Sequence, residues 1–274
     1  MGPSSKVPSK CLNSKIIFFI SIFSKLIEFE TLNEFYNLFS IETSPFWKTH
    51  FTFEKESKIN NEYYIFNKNS NSVLARYNGE NKKIELVEKS YAYGIKPKNS
   101  EQTFALNALL NPNIKLVALQ GVAGTGKTLL ALAAALEQKR LYNQIILARP
   151  IIPLSNRDIG FLPGSLEEKM SPWLAPIVDN FRNQFGDLTY FEMMMDKGQI
   201  DVAPLSHIRG RSFNDSIIIV DEAQNATVHE LKTVITRTGR NSKVILLGDI
   251  EQVDLPYVNK FSNGLTIVTE KLKN

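Results

Sequence analysis

Apolar and polar residues alternate in short runs between residues 50 and 87, in HFTFEK, EYYIFN, SVLARY and KIELVE, with turn formers at 69–72 and at the Asn78-Gly79 pair. A period of two broken by Asn and Gly predicts a small antiparallel sheet. The pattern changes at YGIKPKN (93–99), which reads as a linker. EQTFALNALLN (101–111) then fits a helix, IKLVALQ (114–120) a buried strand and TLLALAAALEQ (128–138) a second helix. Further apolar runs at 144–148, 199–204, 216–221 and 243–249 are separated by helical or polar stretches. Continuously apolar strands alternating with helices predict an α/β fold, a mainly parallel sheet with helices on both faces. The expected division is an uncertain segment over 1–40, a small β-rich unit over 41–95 and the α/β unit over 96–274.

The most apolar stretch, IIFFISIF (16–23), follows Lys6, Lys10 and Lys15. It is too short to cross a bilayer, and SKLIEFE after it offers no small-residue cleavage site. The expectation is therefore an apolar helix, or a remnant of an upstream domain, and no membrane partner.

Composition narrows the function only a little. With 43% hydrophobic and 22% charged residues, a packed soluble domain is expected, and a net charge of +4 permits an anionic partner without demanding one. Cys11 is the single cysteine and His50, His207 and His229 the only histidines, so neither an internal disulfide nor a Cys/His zinc site is expected. Both point to a reducing, cytoplasmic setting.

The chemistry lies where predicted strands end. Residues 121–129, Gly121, Val122, Ala123, Gly124, Thr125, Gly126, Lys127, Thr128 and Leu129, contain G-x-x-x-x-G-K-T between a strand and a helix. Such a loop turns its backbone N–H groups and the helix N-terminus toward phosphate, with glycines at positions of positive φ or close approach. Lys127 is then expected on the β- and γ-phosphates and Thr128 on Mg²⁺. The strand IIIV (217–220) delivers Asp221 and Glu222 to the same edge. Asp221 is the expected second metal residue and Glu222 the general base for water, which favours hydrolysis over transfer to a small-molecule hydroxyl. LLGDIEQVD (246–254) adds Asp249 and Gln252, the latter a candidate sensor of the γ-phosphate. Arg149, Arg157, Arg209 and Arg211 fall in loops or at element ends, where guanidinium groups meet phosphate or make surface ion pairs. Met193 to Met195 read as part of a helix packed on the sheet, and Phe161 and Trp173 as stacking or anchoring aromatics.

From about residue 93 to 273 the sequence resembles the ATPase domain of the PhoH family, a relative of superfamily 1 helicase motors. The resemblance is carried by GIKPKNSEQTFAL, GVAGTGKTLLALAAALEQ, LARPIIPLSNRDIGFLPGSLEEKMSPWLAPIVDN, APLSHIRGRSFNDSIIIVDEAQNAT and LLGDIEQVD, in that order. It implies a RecA-like P-loop fold, ATP and Mg²⁺ as ligands, and coupling to RNA or single-stranded nucleic acid. It implies Gln102 as the reader of adenine, Arg149 on the nucleic-acid path, and a homo-oligomeric ring, a hexamer, in which Arg209 or Arg211 reaches a neighbour's γ-phosphate. Longer relatives carry a PIN nuclease domain that depends on aspartates; no Asp precedes Asp158 here, so nuclease activity is not expected. The family usually continues with a further strand and a basic segment, whereas this sequence stops at EKLKN, which leaves a nucleotide-gated binding module with little turnover as the alternative.

Overall fold

A computed structural model describes residues 16–20, 25–28, 60–68, 71–150, 179, 182, 188–208, 210–255 and 258–272. Its main sheet contains β1 (Ile16–Ile20), β6 (Ile114–Gln120), β7 (Gln144–Arg149), β8 (Ile200–Pro204), β9 (Ser216–Val220) and β10 (Lys243–Gly248). The order across the sheet is β1-β6-β10-β9-β7-β8, and every pairing is parallel. All these strands therefore end at one edge, where open α/β sheets bind their ligands. A second sheet holds β2 (Lys25–Glu28), β3 (Tyr63–Lys68), β4 (Asn71–Asn78) and β5 (Lys83–Leu86) in that order. Its β3-β4-β5 part is antiparallel, as the alternating pattern predicts, while β2 joins β3 in parallel.

Period-two alternation along the buried strands divides the core in two. Val117, Leu119, Ile145, Leu147, Ile217, Ile219, Ile245 and Leu247 face one cluster. It is completed by α1 (Ser100–Leu110), α2 (Lys127–Glu137) and α3 (Leu188–Asp196), the last through Phe191 and Met194. Leu116, Ala118, Ile146, Ala148, Ile218, Val220, Val244 and Leu246 face the other, against α4 (Val228–Arg237) and α5 (Gly264–Leu272). Both faces of β6, β7, β9 and β10 are thus buried, which is why these strands read as unbroken apolar runs.

One expectation is corrected. Residues 16–20 are a strand, not an apolar helix, and Ile17 to Ile20 register with Leu116 to Leu119 of β6. A short run of Ile and Phe is equally readable as buried helix or buried strand, and β-branched and aromatic side chains suit the strand. HFTFEK, Arg157, Phe161 and Trp173 lie outside the described residues, as does Arg209. No described helix is long and apolar enough to cross a membrane.

Candidate nucleotide site at the sheet edge

The site is assembled by strand order. β10 lies between β6, which leads into the phosphate loop, and β9, which leads into Asp221 and Glu222. Gly121 N–H donates to the Gly248 carbonyl at 3.1 Å, and Ala123 N–H donates to Asp249 Oδ2 at 3.1 Å. The other Asp249 oxygen accepts from Glu251 N–H at 3.0 Å. Asp249 therefore ties the phosphate loop to the loop that carries Gln252.

Within the phosphate loop, Gly124 and Gly126 have φ of +79° and +86°, a region costly for residues with a Cβ. Gly121 is not among the described residues with positive φ; its part is the bond to Gly248 instead. Gly126 ends the loop at the start of α2. Lys127 Nζ folds back onto the carbonyls of Gly121 and Val122, at 2.6 and 2.9 Å. Burial pushes its ammonium below the usual lysine value, opposed by the charges of Asp249, Glu222 and Asp221. A cation held only by neutral carbonyls in a half-buried loop fits an anionic ligand better than its present partners.

Thr128 Oγ1 lies 3.2 Å from Asp221 Oδ1 although 93 residues separate them. Asp221 is positioned by its own N–H, which donates to the Ala148 carbonyl at 2.9 Å. Burial pushes the Asp221 carboxyl upward, and the neighbouring Glu222 adds to this, with Arg149 opposing. An oxygen pair at the mouth of a phosphate loop fits Mg²⁺, which keeps several waters and takes phosphate oxygens as its other ligands. Among the described residues no group of three His, Cys, Asp or Glu is placed to hold a metal by protein ligands alone.

Glu222 sits at φ +51° where β9 turns into a short 3₁₀ segment, Ala223–Asn225. Its Oε2 accepts from Gln224 Nε2 at 2.6 Å and its Oε1 from Arg149 Nη2 at 3.3 Å. Gln224 is fully buried. Its Nε2 also donates to the Gln252 carbonyl at 2.9 Å, and its Oε1 accepts from Asp249 N–H at 3.1 Å. Asn225 closes the same loop onto Asp254 through two bonds, Nδ2 to Oδ2 at 3.1 Å and Asp254 N–H to Oδ1 at 2.8 Å. Gln252 itself is exposed beside the site.

Gln102 reaches the loop from α1. Its Nε2 donates to the Thr125 carbonyl at 3.1 Å, while its Oε1 accepts from Lys98 N–H at 2.8 Å. Both ends of the Gln102 amide are thus engaged by backbone, one in the phosphate loop and one at Lys98. Arg211 stands apart: its guanidinium pairs with Asp201 at 2.6 Å and lies 5.0 Å over the Phe213 ring. Arg211, one of the two arginines expected at a neighbour's γ-phosphate, makes these contacts within its own chain.

Residues 94–274 match the family described as PhoH-like protein. The chain belongs to the PhoH-like family. Residues 13–76 match a second family, described as a protein of unknown function (DUF2851). The chain is 48% identical to Protein PhoH2 of Bacillus subtilis over 194 residues, 69% of this chain and 44% of that protein. It is 38% identical to Protein PhoH2 of Mycolicibacterium smegmatis over 205 residues, 73% of this chain and 46% of that protein. A PhoH-like protein of Mycobacterium tuberculosis is 42% identical over 164 residues, 59% of this chain and 46% of that protein. The matched part spans less than half of each of these relatives, and membership suggests a nucleotide-binding ATPase.

Proposed function

We propose that this PhoH-like chain binds ATP with Mg²⁺ and hydrolyses it, and that hydrolysis is coupled to RNA or single-stranded nucleic acid. The observation that carries the reading is the approach of Thr128 to Asp221 at 3.2 Å, with Lys127 next to the one and Glu222 next to the other along the chain. In it, Lys127 exchanges its two carbonyl partners for the β- and γ-phosphates, and the N–H groups of the loop and of the α2 N-terminus take the remaining oxygens. Thr128 and Asp221 would hold Mg²⁺, which would neutralise charge developing on the phosphates. Glu222 accepts the proton of the attacking water, and Gln252 meets the γ-phosphate. Gln102 turns its amide toward the adenine edge. Arg149, at the end of β7, faces the nucleic-acid backbone. Assembly into a hexameric ring and a cytoplasmic setting complete the proposal.

A second reading, a nucleotide-gated binding module with little turnover, is favoured by one observation: both carboxylate oxygens of Glu222 are engaged by side chains. Phosphate release by the purified protein, with and without a single-stranded RNA, separates the two. The first reading expects steady release that Glu222→Gln lowers by about 10²- to 10⁴-fold while ATP still binds, and that Lys127→Ala removes together with binding. Tight ATP binding with no release from the unsubstituted protein would establish the module.

A further inference from the structure

Arg149 ends β7 and Glu222 lies two residues past the end of the adjacent β9, and the bond from Asp221 N–H to the Ala148 carbonyl holds the two strand ends together. Their ion pair is poorly made. Nη2 to Oε1 is 3.3 Å, long for a charge-assisted bond, whose usual length is about 2.7–2.9 Å. Arg149 Nε is buried and, among the described residues, has no hydrogen-bond partner. A guanidinium that could present a planar fork to an oxyanion makes instead one stretched contact. The opposite side of Glu222 is firmly made, with Oε2 2.6 Å from the buried Gln224 amide. The two carboxylate oxygens are therefore unequal: one is anchored to the loop carrying Gln252, and the other is covered by a cation whose bonding capacity is mostly unused.

We propose that the Arg149–Glu222 pair is a gate on hydrolysis, opened when a phosphodiester of a bound single strand draws the Arg149 guanidinium away from Oε1. The inference rests on the proposed ATPase reading and deepens it. A backbone phosphate offers two oxygens in the geometry the fork prefers, and it supplies the partner that Nε lacks. Departure of Arg149 leaves Glu222 in place, because Gln224 still holds Oε2, and frees Oε1 to accept a proton from water. The side chains of Arg149 and Glu222 are 23% and 32% exposed, so an incoming strand can reach the pair while bulk water screens it only in part. The same arrangement explains why an anion outside the nucleotide site would control turnover: the cation it recruits is the one resting on the base.

The test compares ATP turnover of the full chain, its Arg149→Gln and Arg149→Lys variants, and each combined with Glu222→Gln, with and without a single-stranded oligoribonucleotide. The gate predicts that Arg149→Gln raises strand-free kcat several-fold toward the strand-stimulated rate of the unsubstituted protein, with KM for ATP unchanged and stimulation by the strand lost. Arg149→Lys, which retains a cation without the fork, falls between and serves if the glutamine variant does not fold. Glu222→Gln must remove turnover in every background. Strand-free kcat equal to or below the unsubstituted value in both Arg149 variants, at unchanged ATP affinity, overturns the gate. Raised strand-free turnover with no oligonucleotide response in any protein overturns the nucleic-acid partner and leaves the gate standing.

Discussion

Gln224 shows how one side chain sets the geometry of another. Its amide spans Glu222 Oε2, the Gln252 carbonyl and Asp249 N–H, all from a fully buried position. Gln224→Ala leaves the buried Asp249 N–H without a partner, a cost of about 1–3 kcal/mol in stability, and lets Glu222 turn away. The expected outcome is a lower melting temperature together with a fall in kcat of about tenfold or more, since one lost charge-assisted bond is about 1.5–3 kcal/mol, with KM for ATP little changed. A stability loss without loss of kcat would reduce Gln224 to packing. At this scale the acidic pair, the phosphate loop and Asp249 were legible from residue type and spacing, because their chemistry demands those residues. The partners of Glu222 were not: Arg149 comes to the site through the pairing of β7 with β9 and Gln224 through the 3₁₀ turn after Glu222, and a Gln or Arg near a motif carries no mark of what it touches.

Helix α5 joins the 3₁₀ segment after Glu222 by close approach of backbones. A Cβ on Gly264 would stand 2.3 Å from the Ala226 carbonyl oxygen and 2.9 Å from the Thr227 carbonyl carbon, neither able to move without its chain. Gly264→Ala is therefore expected to cost about 1–3 kcal/mol, as overpacking does, read as a lower midpoint in urea. No change in the midpoint would mean that α5 can slide away freely. The neighbouring helix α4 is better specified locally: Thr227 Oγ1 accepts from Glu230 N–H at 3.2 Å, and the Glu230 carboxylate accepts from Thr227 N–H at 2.8 Å, a capping box written in the sequence T-V-H-E. Elements of this kind are readable from sequence because their signals are local. The strand at residues 16–20 was not, since its pairing with β6 is a contact across about a hundred residues, and apolar runs carry no address.

Across the whole molecule, α1 is fixed at both ends. Near its start Gln102 is bonded to the phosphate loop, and at its end the carbonyls of Ala108, Leu109 and Asn111 accept from the fully buried Lys243 of β10. A cation at a helix C-terminus is favoured by the helix dipole. Burial, with Lys115 adding repulsion, nonetheless pushes Lys243 down to about 7. Its folded value lies below the unfolded one of about 10.4, so between those limits the unfolded chain holds more protons and stability rises with pH. The melting temperature of the unsubstituted protein should accordingly gain on that of Lys243→Met as pH is raised from about 7 to about 10, and a constant difference would refute the shift. The overall α/β architecture was legible at this scale from apolar strand runs alternating with helical stretches, whereas nothing in KVILLG marks its lysine as a fastening for a distant helix. Held this way, α1 behaves as a strut about 16 Å long, tied at one end to the phosphate loop that follows β6 and at the other to Lys243, the first residue of β10. Under the adenine-reading proposal for Gln102, nucleotide choice is then tunable from the far anchorage: Lys243→Met, touching no nucleotide atom, should narrow the ratio of ATP to GTP turnover, and an unaltered ratio would show that the near anchorage suffices.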